Sequence, residues 1–382
     1  MTDSPAPFTP VGVRRLTLTD FRSYASLRVE TDLRPVVLTG ANGAGKTNLL
    51  EAVSFLTPGR GLRRARLSEI TRFGAPGGAR GAWAVAALVD SAHGPIDIGT
   101  GRQPGESDRR VVRLNGQPAR SQSDLGEFVS AVWLTPAMDG LFRDAASGRR
   151  RFLDRLVYGL DTGHASRLSA YEQATRERSR LLRDGVTDRA WLAALEDAMA
   201  THGVAVAAAR RDLVGRLGRA LEAAEGPFPR AVLALDGLVE GWLADRPALE
   251  AEEAFRKRLA DDRPKERAGA PAEGPHRTDL AVTHAARGMA AEHCSTGEQK
   301  ALLIAVLLAQ ARVQGTQRGA APLLLLDEVA AHLDGVRREA LYDALAGIGA
   351  QAWLTGTDRA LFESFGDRAQ FFDVRDGGLH AC

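Results

Sequence analysis

The chain has 382 residues, 44% hydrophobic and 26% charged, with a formal net charge of +2. This is the balance of an ordinary globular protein with room for two or three domains, mildly basic, so that a nucleic-acid face is permitted but not required. Two cysteines, Cys294 and Cys382, exclude a disulfide framework or a cysteine metal site, and the longest apolar run, residues 301–309, is too short to span a bilayer. Residues 1–10 lack the charged and apolar regions of a secretion signal, so a reducing cytoplasm is the expected home. Only four of the 50 basic residues are lysines. A GC-rich coding bias accounts for that excess of arginine, and a single arginine cluster therefore carries little weight.

Residues 12–30 alternate apolar and polar, which predicts two strands joined by the turn Asp20-Phe21-Arg22-Ser23-Tyr24. A short β-branched run over 35–39 predicts a buried strand, and apolar positions over 48–56 recur at helical spacing. Between them stands Gly40-Ala41-Asn42-Gly43-Ala44-Gly45-Lys46-Thr47, which fits G-x-x-x-x-G-K-[ST]. Glycines let the backbone approach a phosphate, and amide groups at a helix start point at it. Lys46 would reach the β- and γ-phosphates, Thr47 would ligate Mg²⁺, and Asn48 would complete the nucleotide contacts. Arg60, Arg63, Arg64 and Arg66 follow and are candidate contacts to DNA phosphates, or else a solvated loop.

Antiparallel strands are expected over 80–120, with turns at His93-Gly94-Pro95 and Asn115-Gly116. The texture changes near residue 147. Long helices are predicted over 164–184 and 188–224, paired as a helical hairpin, then a strand over 231–235 and a charged helix near 247–261. Residues 262–275, with Pro264, Gly269, Pro271 and Pro275, predict a loop. An α/β texture returns after 276, with strands over 279–284, 322–327, 351–355 and 370–374 and helices over 296–313 and 335–348.

The strand Leu323-Leu324-Leu325-Leu326 ends in Asp327-Glu328. Emerging at a carboxyl edge beside the phosphate loop, Asp327 would hold Mg²⁺ through water and Glu328 would polarise the attacking water. Ser295, Gly297 and Glu298 precede the helix over 296–313. They read either as a capping box or as a capped helix start that offers Ser295 and backbone amides to a γ-phosphate held by another subunit. Tyr24 and Trp133 are expected in the core, because no basic run is interleaved with them.

These segments resemble the heads of SMC-type ABC ATPases, and the short insertion narrows the resemblance to the RecF family of recombination mediators. The residues that carry it are the turn at 20–24, the loop and helix at 42–52, Gly148-Arg149-Arg150-Arg151-Phe152-Leu153-Asp154, Gly274-Pro275-His276-Arg277-Thr278-Asp279-Leu280, and 295–303. The resemblance implies an α/β fold: an ABC-type P-loop ATPase head of mixed sheets and helices with a short helical arm inserted between its halves. Residues 1–146 would be the N-terminal part of the head with the Walker A loop, 147–275 the mainly helical insertion, and 276–382 the C-terminal part with signature, Walker B and D-loop. Residues 330–334 look like the D-loop that crosses the dimer interface, with Asp334 at the nucleotide, or else form a plain strand-to-helix connection in which Asp334 caps the next helix.

The activity so implied is a weak, Mg²⁺-dependent ATPase used as a switch. ATP would close a homodimer on gapped or single-strand–duplex junction DNA, and slow hydrolysis would release it. RecR- and RecO-type mediators would be partners in recombinase loading, replication restart and the SOS response. The competing expectation is the ATP-binding subunit of a membrane transporter. The inserted arm and the Phe21-Arg22-Ser23-Tyr24 start weigh against it. So does Gly356-Thr357-Asp358 where many ABC ATPases place a γ-phosphate-sensing histidine, a departure that also argues for slow turnover.

Overall fold

The computed structural model describes residues 8–75, 78, 81–104, 109–375 and 377–382. Residues 1–7 of the segment read for a leader, and residues 80 and 105–108 of the expected strand region, lie outside them. The chain opens on β1 (Gly12–Phe21), β2 (Tyr24–Glu30), β3 (Val36–Thr39) and α1 (Lys46–Ser54). Strands β4 (Trp83–Ser91), β5 (Gly94–Arg102), β6 (Val111–Leu114) and β7 (Gln117–Pro118) follow, then α2 (Leu125–Phe128) and β8 (Ala131–Leu134). Next come α3 (Ala146–Tyr158), α4 (His164–Arg183), α5 (Arg189–Glu222), β9 (Ala231–Asp236), α6 (Leu238–Asp245) and α7 (Ala248–Arg267). Strands β10 (Asp279–His284) and β11 (Met289–Ala290) lead to α8 (Thr296–Arg318), β12 (Leu323–Leu326) and α9 (Gly335–Ile348). The chain ends on β13 (Ala352–Gly356), β14 (Gln370–Arg375) and β15 (Gly378–Ala381).

Two compact units result. One gathers Met1–Asp139, Glu225–Phe228 and Leu303–Cys382; the other Gly140–Ala224 and Pro229–Leu302.

The first unit holds an antiparallel sheet, β2-β1-β4-β5-β6-β7, and a mixed sheet, β15-β14-β3-β13-β12-β8. In β1 the buried positions Leu16 and Leu18 alternate with more exposed ones, as a strand with one core face requires. Strands β3 and β12 are buried at every position, the pattern of parallel strands covered on both sides. Trp83 of β4 meets Phe21 of β1 at 5.5 Å and Phe55 beyond α1 at 5.2 Å between ring centroids, joining the antiparallel sheet to the end of α1. In the mixed sheet the parallel register sets Leu326 opposite Leu134 and Leu354, and Gly356 opposite Thr39. The carboxyl ends of β8 and β12 are level, those of β13 and β3 are level with each other two residues further on, and the loops that follow emerge at one edge of the sheet.

In the second unit α4 and α5 run antiparallel. Leu181 and Leu182 cluster with Leu192 near the turn, and Tyr171 packs with Ala200 and Val204 further along. A Cβ on Gly203 would lie 3.0 Å from the Tyr171 ring, so this glycine lets the helices close. Arg178, fully buried, donates to Glu196 at 2.9 Å and Glu266 at 2.6 Å. Arg210, equally buried, donates to both oxygens of Asp154 at 2.8 and 2.9 Å, and His164 Nε2 lies 2.9 Å from the same carboxylate.

The sequence predicts a loop over 262–275, but α7 continues through Pro264 to Arg267. The ion pair of Glu266 with Arg178, and the bond from Lys265 to Asp262 at 2.9 Å, hold a last turn that loses only one donor to proline. Residues 276–302 lie in the second unit. There β10 pairs with β9, Arg149 donates twice to Asp279 at 2.7 Å, and Arg150 donates to the Thr278 carbonyl at 2.9 Å. The local pattern announces neither strands β8, β11 and β15 nor helices α2 and α6.

Breaking a buried ion pair from one side leaves an uncompensated charge, so Arg210→Ala is expected to cost about 3–5 kcal/mol in chemical denaturation at pH 7. Burial pushes the Asp154 carboxyl up, but bonds from His164 and Arg210 outweigh it and hold the group below the usual carboxylate range. Its stabilisation is therefore full above about pH 4 and declines as pH falls through the folded-state value. Urea melts between pH 7 and 3 check this, and Asp154→Asn should flatten that slope.

Candidate nucleotide site

The site begins where β3 ends. Gly40, Gly43 and Gly45 take φ of 142°, 83° and 112°, values that disfavour other residues, so the loop's shape requires the glycines the motif supplies. A Cβ on Gly40 would lie 2.5 Å from the Val374 carbonyl oxygen, and one on Gly45 would lie 2.7 Å from Tyr24 Oη. Beside Gly43 the space is open. Lys46 opens α1, 5% exposed, and its Nζ donates to the carbonyls of Gly40 at 2.7 Å and Ala41 at 3.0 Å. The same Nζ is 3.9 Å from Glu328 Oε1. Thr47 Oγ1 donates to Asp327, at 2.9 and 3.1 Å from its two oxygens.

Asp327 follows β12 and is 4% exposed. Thr355, fully buried in β13, donates to Asp327 Oδ1 at 2.7 Å and accepts the Glu328 N–H at 2.9 Å. One hydroxyl thus positions both acids. Glu328 takes a φ of 53°, an uncommon value for a glutamate, which turns the chain sharply at the carboxyl edge. Thr357, which stands where many ABC ATPases place a histidine, is exposed, and Asp358 caps the next turn by accepting from the Ala360 N–H at 2.8 Å.

A second layer supports the loop. Tyr24 Oη donates to the Gly45 carbonyl at 3.2 Å; burial pushes this phenol up, so it stays protonated and able to donate. Asn48 donates to Ser23 Oγ at 2.9 Å and accepts from Arg63 at 2.7 Å. Glu51, fully buried on α1, accepts from Arg22 at 2.7 and 2.8 Å and from Arg63 at 2.9 Å. Arg63 is therefore engaged with α1, whereas Arg60, Arg64 and Arg66 are exposed. Asp334 caps α9, accepting from the Arg337 N–H at 2.9 Å.

In the second unit Ser295 and Glu298 form the capping box. Glu298 accepts from the Ser295 N–H and Oγ at 3.0 Å each, and the Glu298 N–H lies 3.4 Å from Ser295 Oγ. Arg287 sits 2.5 Å from the other oxygen of Glu298. The Ser295 bonds, then the Arg287 charge, hold the Glu298 carboxyl below the usual range. A Cβ on Gly297 would meet nothing within 4 Å, so the helix start is open there.

Sequence reasoning missed Thr355, Tyr24 and Glu51 as parts of this arrangement. A threonine inside an otherwise apolar parallel strand and a glutamate on the apolar side of α1 were the available signals.

The model of the RecF/RecN/SMC N terminal domain matches residues 12–377. The chain is 52% identical over 371 residues to the DNA replication and repair protein RecF of Rhizobium etli, covering 96% of this chain and 98% of that one. It is 51% identical over 375 residues to the RecF of Agrobacterium fabrum, covering 97% and 99%. Among solved structures, the recombination mediator protein RecF-ATPrS in the RecFOR pathway superposes with a TM-score of 0.83 at 21% identity, covering 98% of this chain and 99% of that one. The Smc head domain of Pyrococcus furiosus bound to the C-terminal domain of ScpA gives 0.54 at 17% identity, covering 97% and 96%. Those two likenesses concern the fold. With half of its residues shared with these relatives along almost their whole length, the chain belongs to the RecF family of DNA replication and repair proteins.

Proposed function

We propose that the chain is an ATP-switched DNA clamp: ATP binding closes two copies on gapped or junction DNA, and slow hydrolysis opens them. The observation that carries this reading is the convergence of Lys46, Thr47, Asp327 and Glu328 at the carboxyl edge of one sheet. ATP is the substrate. The loop of residues 40–47 would cradle its phosphates, since Gly43 leaves space where a side chain would stand. Lys46, now bonded to two loop carbonyls, would turn to the β- and γ-phosphates.

Thr47 and Asp327 form an oxygen donor set that fits Mg²⁺, which when bound would neutralise phosphate charge. Glu328 would accept the proton of the attacking water, its backbone held by the N–H bond to Thr355 Oγ1. Gly356-Thr357-Asp358 puts no histidine directly after β13, so γ-phosphate sensing falls to groups that do not titrate near neutrality, and turnover is slow. Ser295 and Gly297 of one copy, with Asp334 at the interface, would complete the other copy's site, so the closed state exists only with ATP bound. RecR- and RecO-type mediators would then engage the clamp in recombinase loading and in the SOS response. The family assignment supports this reading over a transporter subunit.

Lys46→Ala is expected to lower ATP affinity by about 100-fold or more in a fluorescent-nucleotide titration, since it removes the cation facing the phosphates. Glu328→Gln should bind Mg-ATP normally, lose about 100-fold or more in hydrolysis rate, and sediment as a dimer with gapped duplex DNA. Ser295→Arg should keep nucleotide binding by single copies yet stay monomeric with ATP in the same sedimentation assay. An ATP-induced dimer of Ser295→Arg would remove the in-trans role.

A further inference from the structure

Phe73 is 99% exposed, more than any other large apolar side chain among the described residues. A ring left in water forfeits its burial energy, and the segment around it is well anchored. Thr71 bridges to Phe21, the Arg22 N–H donates to the Ile70 carbonyl at 2.8 Å, and the Arg72 N–H donates to the Asp20 carbonyl at 2.8 Å. Arg72 Nε adds a bond to Asp20 Oδ1 at 2.9 Å, and the Trp83 indole N–H holds the Leu67 carbonyl at 2.9 Å. After the ring, the Ala75 N–H returns to the Arg72 carbonyl at 3.1 Å, with Ala75 buried. Phe73 therefore stands at the tip of a pinned turn, followed by Gly74 at a φ of 80°.

The chemistry of the segment indicates the partner. Residues 58–75 carry Arg60, Arg63, Arg64, Arg66 and Arg72 against a single acid, Glu69. Arg63 is bonded to α1 and Arg72 to Asp20, which leaves Arg60, Arg64 and Arg66 exposed on the approach to the ring. A pinned segment that carries an exposed aromatic ring and, in the residues before it, three exposed arginines suits an unpaired base flanked by phosphates. The turn that pins it also carries Arg22, Ser23 and Tyr24, which bond to α1 and Gly45, so the ring is tied to the phosphate loop.

We propose that Phe73 stacks on an unpaired base of single-stranded or gapped DNA while the exposed arginines of its segment hold the flanking phosphates. This rests on the DNA-clamp reading and gives it a preference for unpaired bases.

The test is fluorescence anisotropy with the full chain and Mg-ATP, on single-stranded, gapped and fully paired DNA, over a range of salt. Phe73→Ala should weaken binding about tenfold or more on the first two DNAs and less than about twofold on the paired duplex. Its salt slope and ATP affinity should match the parent chain, because no phosphate contact is lost. Phe73→Trp should restore affinity and show indole quenching on single-stranded DNA. Unchanged binding by Phe73→Ala, or equal loss on all three DNAs, would overturn the stacking role. So would unaltered DNA binding with lost affinity for a mediator protein, which would make the tip a protein contact. A parent chain that binds none of the three DNAs would sink the clamp reading itself.

Discussion

The phosphate loop depends on a carboxylate that solvent does not reach. Glu51 lies one helical turn beyond Thr47 on α1 and is bonded by Arg22 from the β1–β2 turn and by Arg63 from the arginine-rich segment. An unpartnered carboxylate at that depth would cost several kcal/mol, so helix, turn and segment are obliged to keep together. Asn48 repeats the link one position after Thr47, bridging Ser23 and Arg63. The loop's glycines can then be conformationally permissive without the loop being loose. At the other side Thr355 does the same for the acids, joining Asp327 and the Glu328 backbone through one oxygen.

Arginine recurs at these joints. Arg110, 5% exposed, donates to the carbonyls of Thr57 and Gly59 and to Thr100 Oγ1, closing the region after α1. In the second unit Arg149, Arg178 and Arg210 each draw two or more chain segments onto one guanidinium. A guanidinium has five donors in a rigid fork, and lysine could not satisfy such sets. An excess of arginine in the composition does not by itself explain these positions, where the fork geometry is used.

The sequence made the phosphate loop, the acid-ended strand and the helical hairpin legible because each is a local pattern. Loop glycines, an apolar run before two acids, and three- and four-residue periodicity all declare themselves within a few residues. Other features arise from partners far apart in the chain and leave no local trace. Thr355 reads as an ordinary strand residue until β12 is set beside β13. Pro264 reads as a helix end, yet Arg178, 88 positions away from Glu266, keeps the helix going. The pairing of β10 with β9 and the Arg149–Asp279 pair join residues more than forty positions apart and leave no local pattern either. Phe73 escaped notice because a lone aromatic in a loop carries no periodicity.

The position of β3 has a consequence for how the molecule is made. This strand, among the first forty residues, lies between β13 and β14, and its pairing partners begin at Trp353 and Gln370. More than three hundred residues must leave the ribosome before β3 finds either neighbour. Long-range pairing of this kind closes late, because the entropy of the intervening chain is lost before any contact rewards it. The helical hairpin, by contrast, can form as soon as residues 164–222 are made. The oldest part of the nascent chain therefore waits with its apolar strand unpaired, and a chain stopped short of Ala352 has the phosphate loop's sequence but neither of its flanking strands.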